Sequence, residues 1–430
     1  MAQIHRQFSN DEVKQYLKWY EDKILTKAEI LKILGIKDSR FYALLAQFRQ
    51  KPEKFSIAYN RVRATRCLPP KVVRQIRREL ELEHSFIANS AMPIMFYNYA
   101  AIRDAVESET GHHLSAQTVI NYAKRWGYYL ERPKRQVHTR EVLTDSVGML
   151  LQHDASHHQW SPYVFRSDGK PLKWSLITTL DDHSRKLLYA ELFEHESAWA
   201  HIQALESVIL SYGLGVQYYS DNHAIFRYVA NRDQDGLSAA NYRRVLDTDD
   251  IAPQWKQCVE AAGMKVTYAL SPEAKGKIER PYRWLQDRIV RRAAREHART
   301  IDQVRLLLGQ EVDRYNNRQV HSTTREAPAQ RFESATKDGR SCFRPLDVSQ
   351  VKPPVTSTKD IFCLRTERKV NGYGKISFAG NQVTVPGQLP DSTAVTLHII
   401  PNGQLTEVRF LRNDTVLGYQ QIPTPASLHF

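Results

Sequence analysis

The chain has 430 residues, too many for one ordinary core, so three or four domains are expected. A hydrophobic share of 42% and a charged share of 25% exclude a disordered chain and describe a globular one. The formal net charge of +14 suits a polyanionic partner, of which nucleic acid is the commonest soluble kind. Cys67, Cys258, Cys342 and Cys363 stand far apart with no CxxC pair, which argues against a disulfide framework or a cysteine-based zinc site. The start of the chain has no apolar signal core, and no run approaches the roughly 20 apolar residues of a membrane span, so a cytoplasmic protein with no membrane partner is expected.

Residues 1–60 read as a first helical domain. Val13, Tyr16, Leu17, Tyr20, Ile24 and Leu25 recur at helical spacing. Thr26 and Glu29 form a capping box, in which hydroxyl and carboxylate satisfy free amides at a helix start. That helix carries Ile30, Leu31 and Leu34 and stops at Gly35; Ser39 then opens another with Phe41, Tyr42, Leu44, Leu45 and Phe48. Helix, glycine turn, helix is the helix-turn-helix pattern. Arg40, Gln47, Arg49 and Gln50 fall on or near its outer face, where they would meet phosphates or base edges. A plain helical hairpin that buries its apolar face and binds nothing explains one such unit equally well.

Residues 61–140 hold a second unit, which weakens that plain reading. Ala101, Ile102, Ala105 and Val106 make one helical face, Gly111 breaks it, and Ser115 is a good N-cap for the next helix. That helix carries Thr118, Val119, Tyr122 and Ala123, ends near Gly127, and exposes Gln117, Asn121, Lys124 and Arg125. An arginine-rich stretch over 61–78 joins the two units, and Arg132, Lys134, Arg135, His138 and Arg140 lead out as a basic linker. A charge run is usually solvated surface, but between two candidate readers it points to phosphate contact.

Residues 145–335 change character. Strands are predicted at 149–156, 176–181, 186–192, 216–220 and 264–268, and the tight 181–185 link predicts an antiparallel hairpin. A helix with Ala200, Ile202, Leu205, Val208 and Ile209 runs to Gly213, and a long arginine-rich helix begins near Lys275. This order describes an α/β layer fold on a mixed five-stranded sheet. Residues 360–425 alternate inward and outward side chains at 374–378, 382–385, 394–400 and 405–410, between Gly, Pro and Asn-Gly turns, as a small β-barrel would. The whole is a multidomain α+β chain.

Three acids sit at comparable places in the α/β region. Asp154 ends the first strand, Asp221 follows the fourth, and Glu279 lies in the first turns of the long helix. Each alone has an ordinary reading: an aspartate after a strand is usually a turn or cap residue, and a glutamate at a helix start is favoured by the dipole. Together, at strand ends and a helix start on one edge of a sheet, they can converge, and three converging carboxylates need a divalent cation. Two such ions roughly 4 Å apart activate an attacking oxygen and stabilise a departing one at a phosphodiester. Asp181 and Asp182 fit a turn better, with Asp182 as a reserve ligand.

The words around these acids, SDN at 220–222 and KGKIER at 275–280, resemble the second and third acidic motifs of the retroviral-integrase-like DDE transposases of bacterial insertion sequences. The resemblance extends over most of the chain and implies an RNase H-like catalytic core. It makes Asp154, Asp221 and Glu279 ligands of two Mg²⁺ ions, with Mn²⁺ able to substitute, and sets Lys277, Arg280 and Arg283 on substrate phosphates. It implies nicking at transposon ends and joining of the freed 3′-hydroxyl to target DNA, by a DNA-dependent homo-multimer, with an ATPase accessory protein conceivable by analogy. Three features depart from the family pattern. The 57 residues between Asp221 and Glu279 exceed the spacing of many relatives, with polar additional material around 230–258. His223 stands where relatives more often have glycine, and the retroviral zinc module is absent. Arg280, Arg283, Arg288, Arg291, Arg292, Arg295 and Arg299 place guanidiniums along the long helix, where a DNA backbone would run, while Trp284, Leu285 and Ile289 face a core. Tyr315, Asn316 and His321 read as structural residues of the family's closing segment. The rival readings are a catalytically silent, transposase-derived DNA-binding regulator and a nuclease of the same fold without strand transfer.

Overall fold

In the computed structural model the described residues are 4, 7–58, 68–131, 144–221, 225–226, 253–269, 276–351, 354–378 and 380–424. Arg132, Lys134, Arg135, His223 and most of the 230–258 segment lie outside them. The chain divides into two compact units, residues 1–70 and 71–430. Among the described residues no helix is long and apolar enough to cross a membrane.

The first unit is built on α1 (Asn10–Glu21), α2 (Lys27–Leu34) and α3 (Asp38–Gln50). The Thr26–Glu29 capping box is present, with the Thr26 amide donating to Glu29 Oε2 at 2.8 Å, and α2 ends at Gly35 with φ 61°. The left-handed turn favours glycine because a Cβ there crowds the carbonyl. The helix after it starts before the predicted Ser39: Lys37 is its N-cap, with no side-chain cap, and Asp38 lies in its first turn. Val13, Leu17, Ile30, Leu34, Phe41, Leu44 and Leu45 form the core, while Ile24 and Tyr42 point to solvent.

In the second unit, α4 (Pro70–Ala88) precedes the predicted helix pair, α5 (Tyr99–Thr110) and α6 (Ala116–Trp126). Asn98 caps α5, Gly111 turns at φ 68°, Ser115 accepts from the Thr118 amide at 3.1 Å, and Gly127 ends α6 at φ 81°.

The sheet follows, from β1 (Leu151–His158), β2 (Trp174–Asp181), β3 (Leu187–Phe193), β4 (Gln217–Ser220) and β5 (Lys265–Tyr268). Its order is β3-β2-β1-β4-β5, antiparallel across β1, β2 and β3 and parallel across β1, β4 and β5. The five strands, the hairpin and the mixed character agree with the alternation in the sequence. On one face lie α7 (Ala198–Tyr212) and α8 (Gln254–Ala261), through Ile202, Leu205, Val208, Trp255 and Cys258. On the other lie α9 (Gly276–Arg295) and α10 (Ile301–Asn317), which bury Ile278, Leu285, Ile289, Val304 and Leu307 against Leu176, Leu180 and Leu192. Residues 254–258, read as the end of an insertion, are instead core: Trp255 is fully buried on the sheet.

After α11 (Pro328–Lys337) and α12 (Thr358–Ile361), the tail adds β6 (Leu364–Lys369), β7 (Lys375–Phe378), β8 (Asn381–Thr384), β9 (Ala394–Asn402), β10 (Leu405–Arg412) and β11 (Thr415–Pro423). They form a four-stranded sheet, β11-β10-β9-β6, and a β7–β8 hairpin, with no hydrogen-bonded closure into a barrel among the described residues. Ile376, Phe378, Val383, Leu397, Ile399 and Phe410 share one core with α7 and α8, and Gln254 exchanges hydrogen bonds with the Arg365 backbone at 2.6 and 2.7 Å.

The arginine face of α9 is where structure and expectation part. Arg288 and Arg291 are 5% and 2% exposed. Arg288 pairs with Asp104 of α5 at 2.7 Å and Glu311 of α10 at 3.5 Å. Arg291 meets Glu83 of α4 and, at 3.0 Å, Asp287; Arg295 meets Glu79 and, at 3.2 Å, Glu83. Arg292 is held by Glu296 at 2.7 Å and Glu311 at 3.3 Å. These guanidiniums fasten α4, α5 and α10 to α9 and do not line a DNA path. Apart from the i,i+4 partners Asp287 and Glu296, the carboxylates that claim them lie some 200 residues earlier or on the following helix, beyond the reach of helical spacing. Arg291→Met should therefore cost about 3 kcal/mol in urea denaturation, since it strips a partner from the buried Glu83. Lys369→Ala, at an exposed strand end, should stay within about 0.5 kcal/mol. Equal losses from the two would remove the network from the stability of this unit.

Candidate active site

Alternation along β1 sorts its side chains onto two faces. Leu151 and His153 enter the layer of α7 and α8, where the His153 ring lies flat on Trp255 with centroids 5.2 Å apart. Gln152, Asp154 and Ser156 therefore face α9. Gln286 Nε2, on that helix, donates to Ser156 Oγ at 2.9 Å. Asp154 stands opposite Thr178 of β2, whose hydroxyl donates to the Tyr282 phenol oxygen at 2.8 Å. On its other side β1 runs parallel to β4, with Leu151 level with Tyr218 and Gln152 with Tyr219. Asp154 and Asp221 each lie three residues beyond the first of these pairs. They thus stand at one level on neighbouring backbones about 5 Å apart. Asp221 directly follows β4, while Asp154, expected at the end of its strand, lies in the middle of β1, which runs on to His158 beside β2.

Glu279 lies in the first turn of α9, three residues before Tyr282 and so on the same helical stripe. Its carboxylate is partly exposed and meets Arg283 at 3.7 Å. Burial pushes the Tyr282 phenol far above its ordinary value, and the charges of Asp154, Glu196 and Asp221 push the same way. Sequence reasoning did not single out Tyr282 or Glu196. Behind the sheet, His153 Nε2 and His201 Nδ1 are 2.8 Å apart, and His201 Nε2 is 3.1 Å from Glu196 Oε1. Nothing in the spacing of those residues announces this chain of contacts, which ends on the partly exposed Glu196.

Among the described residues no three Asp, Glu, His or Cys side chains stand close enough together to hold a metal ion. Asp154 and Asp221 share an edge, and Glu279, on the helix facing it, is turned to Arg283. The donor chemistry nevertheless fits a hard divalent cation: all three groups are carboxylates, and two standing level on adjacent backbones repel unless neutralised.

No protein-family model matches the chain. It is 26% identical over 303 residues to the y4bF protein of Sinorhizobium fredii, whose name proposes a transposase; the match takes in 69% of this chain and 58% of y4bF. It is also 26% identical over 204 residues to the transposase for insertion sequence IS1202 of Streptococcus pneumoniae, 46% of this chain and 40% of that one. The chain is related to insertion-sequence transposases. It spans less than two thirds of the length of either curated relative. Among solved structures, the magnesium complex of the HTLV-2 integrase catalytic core domain aligns at TM-score 0.29 and 14% identity, over 44% of this chain and 98% of that one. The simian T-cell lymphotropic virus intasome with PP2A regulatory subunit B56 gamma aligns at TM-score 0.34 and 14% identity, over 80% and 96%. The site described above rests on strand order and register, not on these distant likenesses.

The remaining residues singled out in this transposase relative fall into two groups. Lys277, expected on substrate phosphate, is committed to Asp182, with Nζ at 2.8 Å from both carboxylate oxygens. Arg49 pairs with Glu21 at 2.7 Å, and Arg40 donates to the Ile57 carbonyl at 3.4 Å. Arg280 and Arg283 stay exposed beside Glu279, Arg280 donating to Thr323 Oγ1 at 3.0 Å. On α6, Asn121, Lys124 and Arg125 are all exposed, with Gln117 donating to Asn121 Oδ1 at 3.0 Å and Lys124 lying 4.6 Å from the Tyr129 ring centroid.

The closing segment reaches the same neighbourhood. His321 accepts from the Thr323 amide at 3.3 Å. Burial pushes its imidazole from 6.5 down to about 4, and the charges of Arg185 and Arg280 act in the same direction. The unfolded chain thus takes up this proton before the folded one does, so stability falls as pH drops from 6.5 towards about 4. The urea midpoint of His321→Asn should fall less than that of the wild type between about pH 7 and about pH 5. Parallel falls would show that this ring is not the buried neutral group.

Proposed function

We propose that the chain is a DDE-type DNA transposase in which Asp154, Asp221 and Glu279 hold two Mg²⁺ ions, or Mn²⁺ in their place. The observation that carries this reading is the arrangement of Asp154 and Asp221, level on adjacent strands and faced by the helix that bears Glu279, in a chain related to transposases. Glu279 joins the two aspartates by turning away from Arg283, at small cost because an exposed ion pair contributes little. Bound divalent cations would activate the attacking oxygen and stabilise the leaving one at a phosphodiester. The residues of the chain do the rest. Tyr282 and Thr178 hold the floor between the carboxylates and keep water from one side of them. Arg280 and Arg283, exposed beside Glu279, meet the phosphates on either side of the cut bond.

The exposed face of α6, with Gln117, Asn121, Lys124 and Arg125, reads the transposon end, and the α2–α3 pair of the first unit reads further along it. Both steps, nicking at the end and attack of the freed 3′-hydroxyl on target DNA, proceed without a covalent protein–DNA bond, in a multimer assembled on paired ends.

The test is a strand-transfer assay with DNA ending in the repeats that flank the gene, in Mg²⁺ or Mn²⁺, alongside gel-shift binding. Wild type should give joined product, while Asp154→Asn, Asp221→Asn and Glu279→Gln bind the ends but give none. Activity surviving one substitution removes that residue from the site. End binding by the wild type without cleavage in either metal makes the protein a regulator, and cleavage without joining makes it a nuclease.

A further inference from the structure

Asp182, in the β2–β3 turn, is fully buried and carries more partners than a turn requires. Gln152 Nε2 donates to Oδ1 at 2.5 Å and Thr144 Oγ1 to Oδ2 at 3.0 Å. Lys277 Nζ lies 2.8 Å from both oxygens, and Arg185 Nη1 lies 3.1 Å from Oδ1. The Asp182 amide donates to the Leu150 carbonyl at 3.0 Å. Neighbouring Asp181 does the ordinary work of the turn, accepting from the Gly148 and Ser184 amides at 2.8 Å. The turn therefore has its carboxylate already, and Asp182 is free for another task.

Two partners of Asp182 occupy corresponding places. Gln152 stands two residues before Asp154 on the same face of β1, and Lys277 stands two residues before Glu279 in the opening turn of α9. That opening turn is weakly held by its own backbone. The first amides of a helix have no partner within it, and Pro281 has no N–H to give the Lys277 carbonyl. The side chain of Lys277, drawn into the buried carboxylate, fixes the turn from outside.

We propose that Asp182 is a positioning residue that grips Gln152 and Lys277 through one carboxylate, and so sets Asp154 on its strand and Glu279 on its helix in one geometry. Divalent-cation affinity then depends on the Asp182–Lys277 pair, although neither residue touches the cation. This rests on the reading of Asp154 and Glu279 as metal ligands. It also takes Lys277 out of the phosphate-binding role and Asp182 out of reserve for the metal.

The experiment is a Mn²⁺ titration of the whole chain, by electron paramagnetic resonance, with thermal unfolding and metal-free gel shift on end DNA measured beside it. Wild type, Asp154→Asn, Lys277→Met, Lys277→Arg and Asp182→Asn are compared. Lys277→Met should weaken Mn²⁺ binding by about tenfold to a hundredfold, the range seen when an outer partner of a metal ligand is removed. DNA binding should stay close to wild type, and the chain should still unfold cooperatively at a somewhat lower temperature, because Arg185 still neutralises the buried Asp182. Lys277→Arg should recover most of the affinity. Should Asp182→Asn fail to fold, Lys277→Met still decides the matter. Wild-type Mn²⁺ affinity in Lys277→Met, with Asp154→Asn inactive in binding, overturns the positioning role alone; a DNA-binding loss in its place makes Lys277 a phosphate contact. No Mn²⁺ binding by the wild type, or full binding by Asp154→Asn, overturns the metal-site reading and this inference with it.

Discussion

A helix that carries arginines on its inward faces can be packed on all sides only if each buried guanidinium meets a carboxylate, because an unpaired buried charge costs several kcal/mol. The α9 helix obeys this constraint with Glu79 and Glu83 of α4, Asp104 of α5 and Glu311 of α10. Its apolar stripe, Ile278, Leu285 and Ile289, meets the sheet and α10, while Val290 and Ala294 meet Phe86, Met92 and Ile94. One helix thus belongs at once to the α/β layer and to the helical segment that precedes it. Such a network contributes more to fixing one arrangement than to net stability, since paired buried charges also bear a large desolvation cost.

The consequence for the site is mechanical. Glu279 stands at the opening of α9, and the remainder of that helix cannot shift without dragging the α4–α6 segment and α10 along. The exposed face of α6 and the sheet are connected through packed ion pairs, not through a loose tether, so the two are held at a set distance. The free part of α9 is its first turn, where Pro281 has taken away one backbone bond. Asp182 sits against that turn.

The sheet end itself is a place where charge accumulates by construction. Beyond the last paired residues of parallel β1 and β4, Gln152 and Tyr219, the next residues on the α9 side are aspartates, one in the middle of β1 and one just past β4. Tyr282 fills the space beside them with a group whose phenol burial and surrounding carboxylates keep neutral. Behind it, the flat contact of His153 with Trp255 and the hydrogen-bonded His201 make the opposite side of β1 rigid and dry. A strand held in this way has little freedom to let Asp154 move.

Much of the fold was legible in the residues alone. The five strands of the sheet, the helix pairs with their Gly35 and Gly111 turns, the Ser115 and Thr26 caps and four of the tail strands all follow from local rules: alternation, helical spacing, capping and the left-handed turn. Those rules act within a few residues, so the sequence by itself determines them. The acids were legible only in part: Asp221 follows β4 and Glu279 opens α9, as local rules suggest, whereas Asp154, expected at a strand end, lies in the middle of β1. The tertiary structure alone decided which charges are spent. Arg288, Arg291 and Lys277 look like a basic face until Asp104, Glu83 and Asp182, distant in the chain, fold against them. The tail forms two sheets packed on α7 and α8 where alternation predicted a barrel, because alternation tells which side is buried but not against what. Long-range pairing is chosen by the free energy of the whole packed unit, and no short window of sequence contains it.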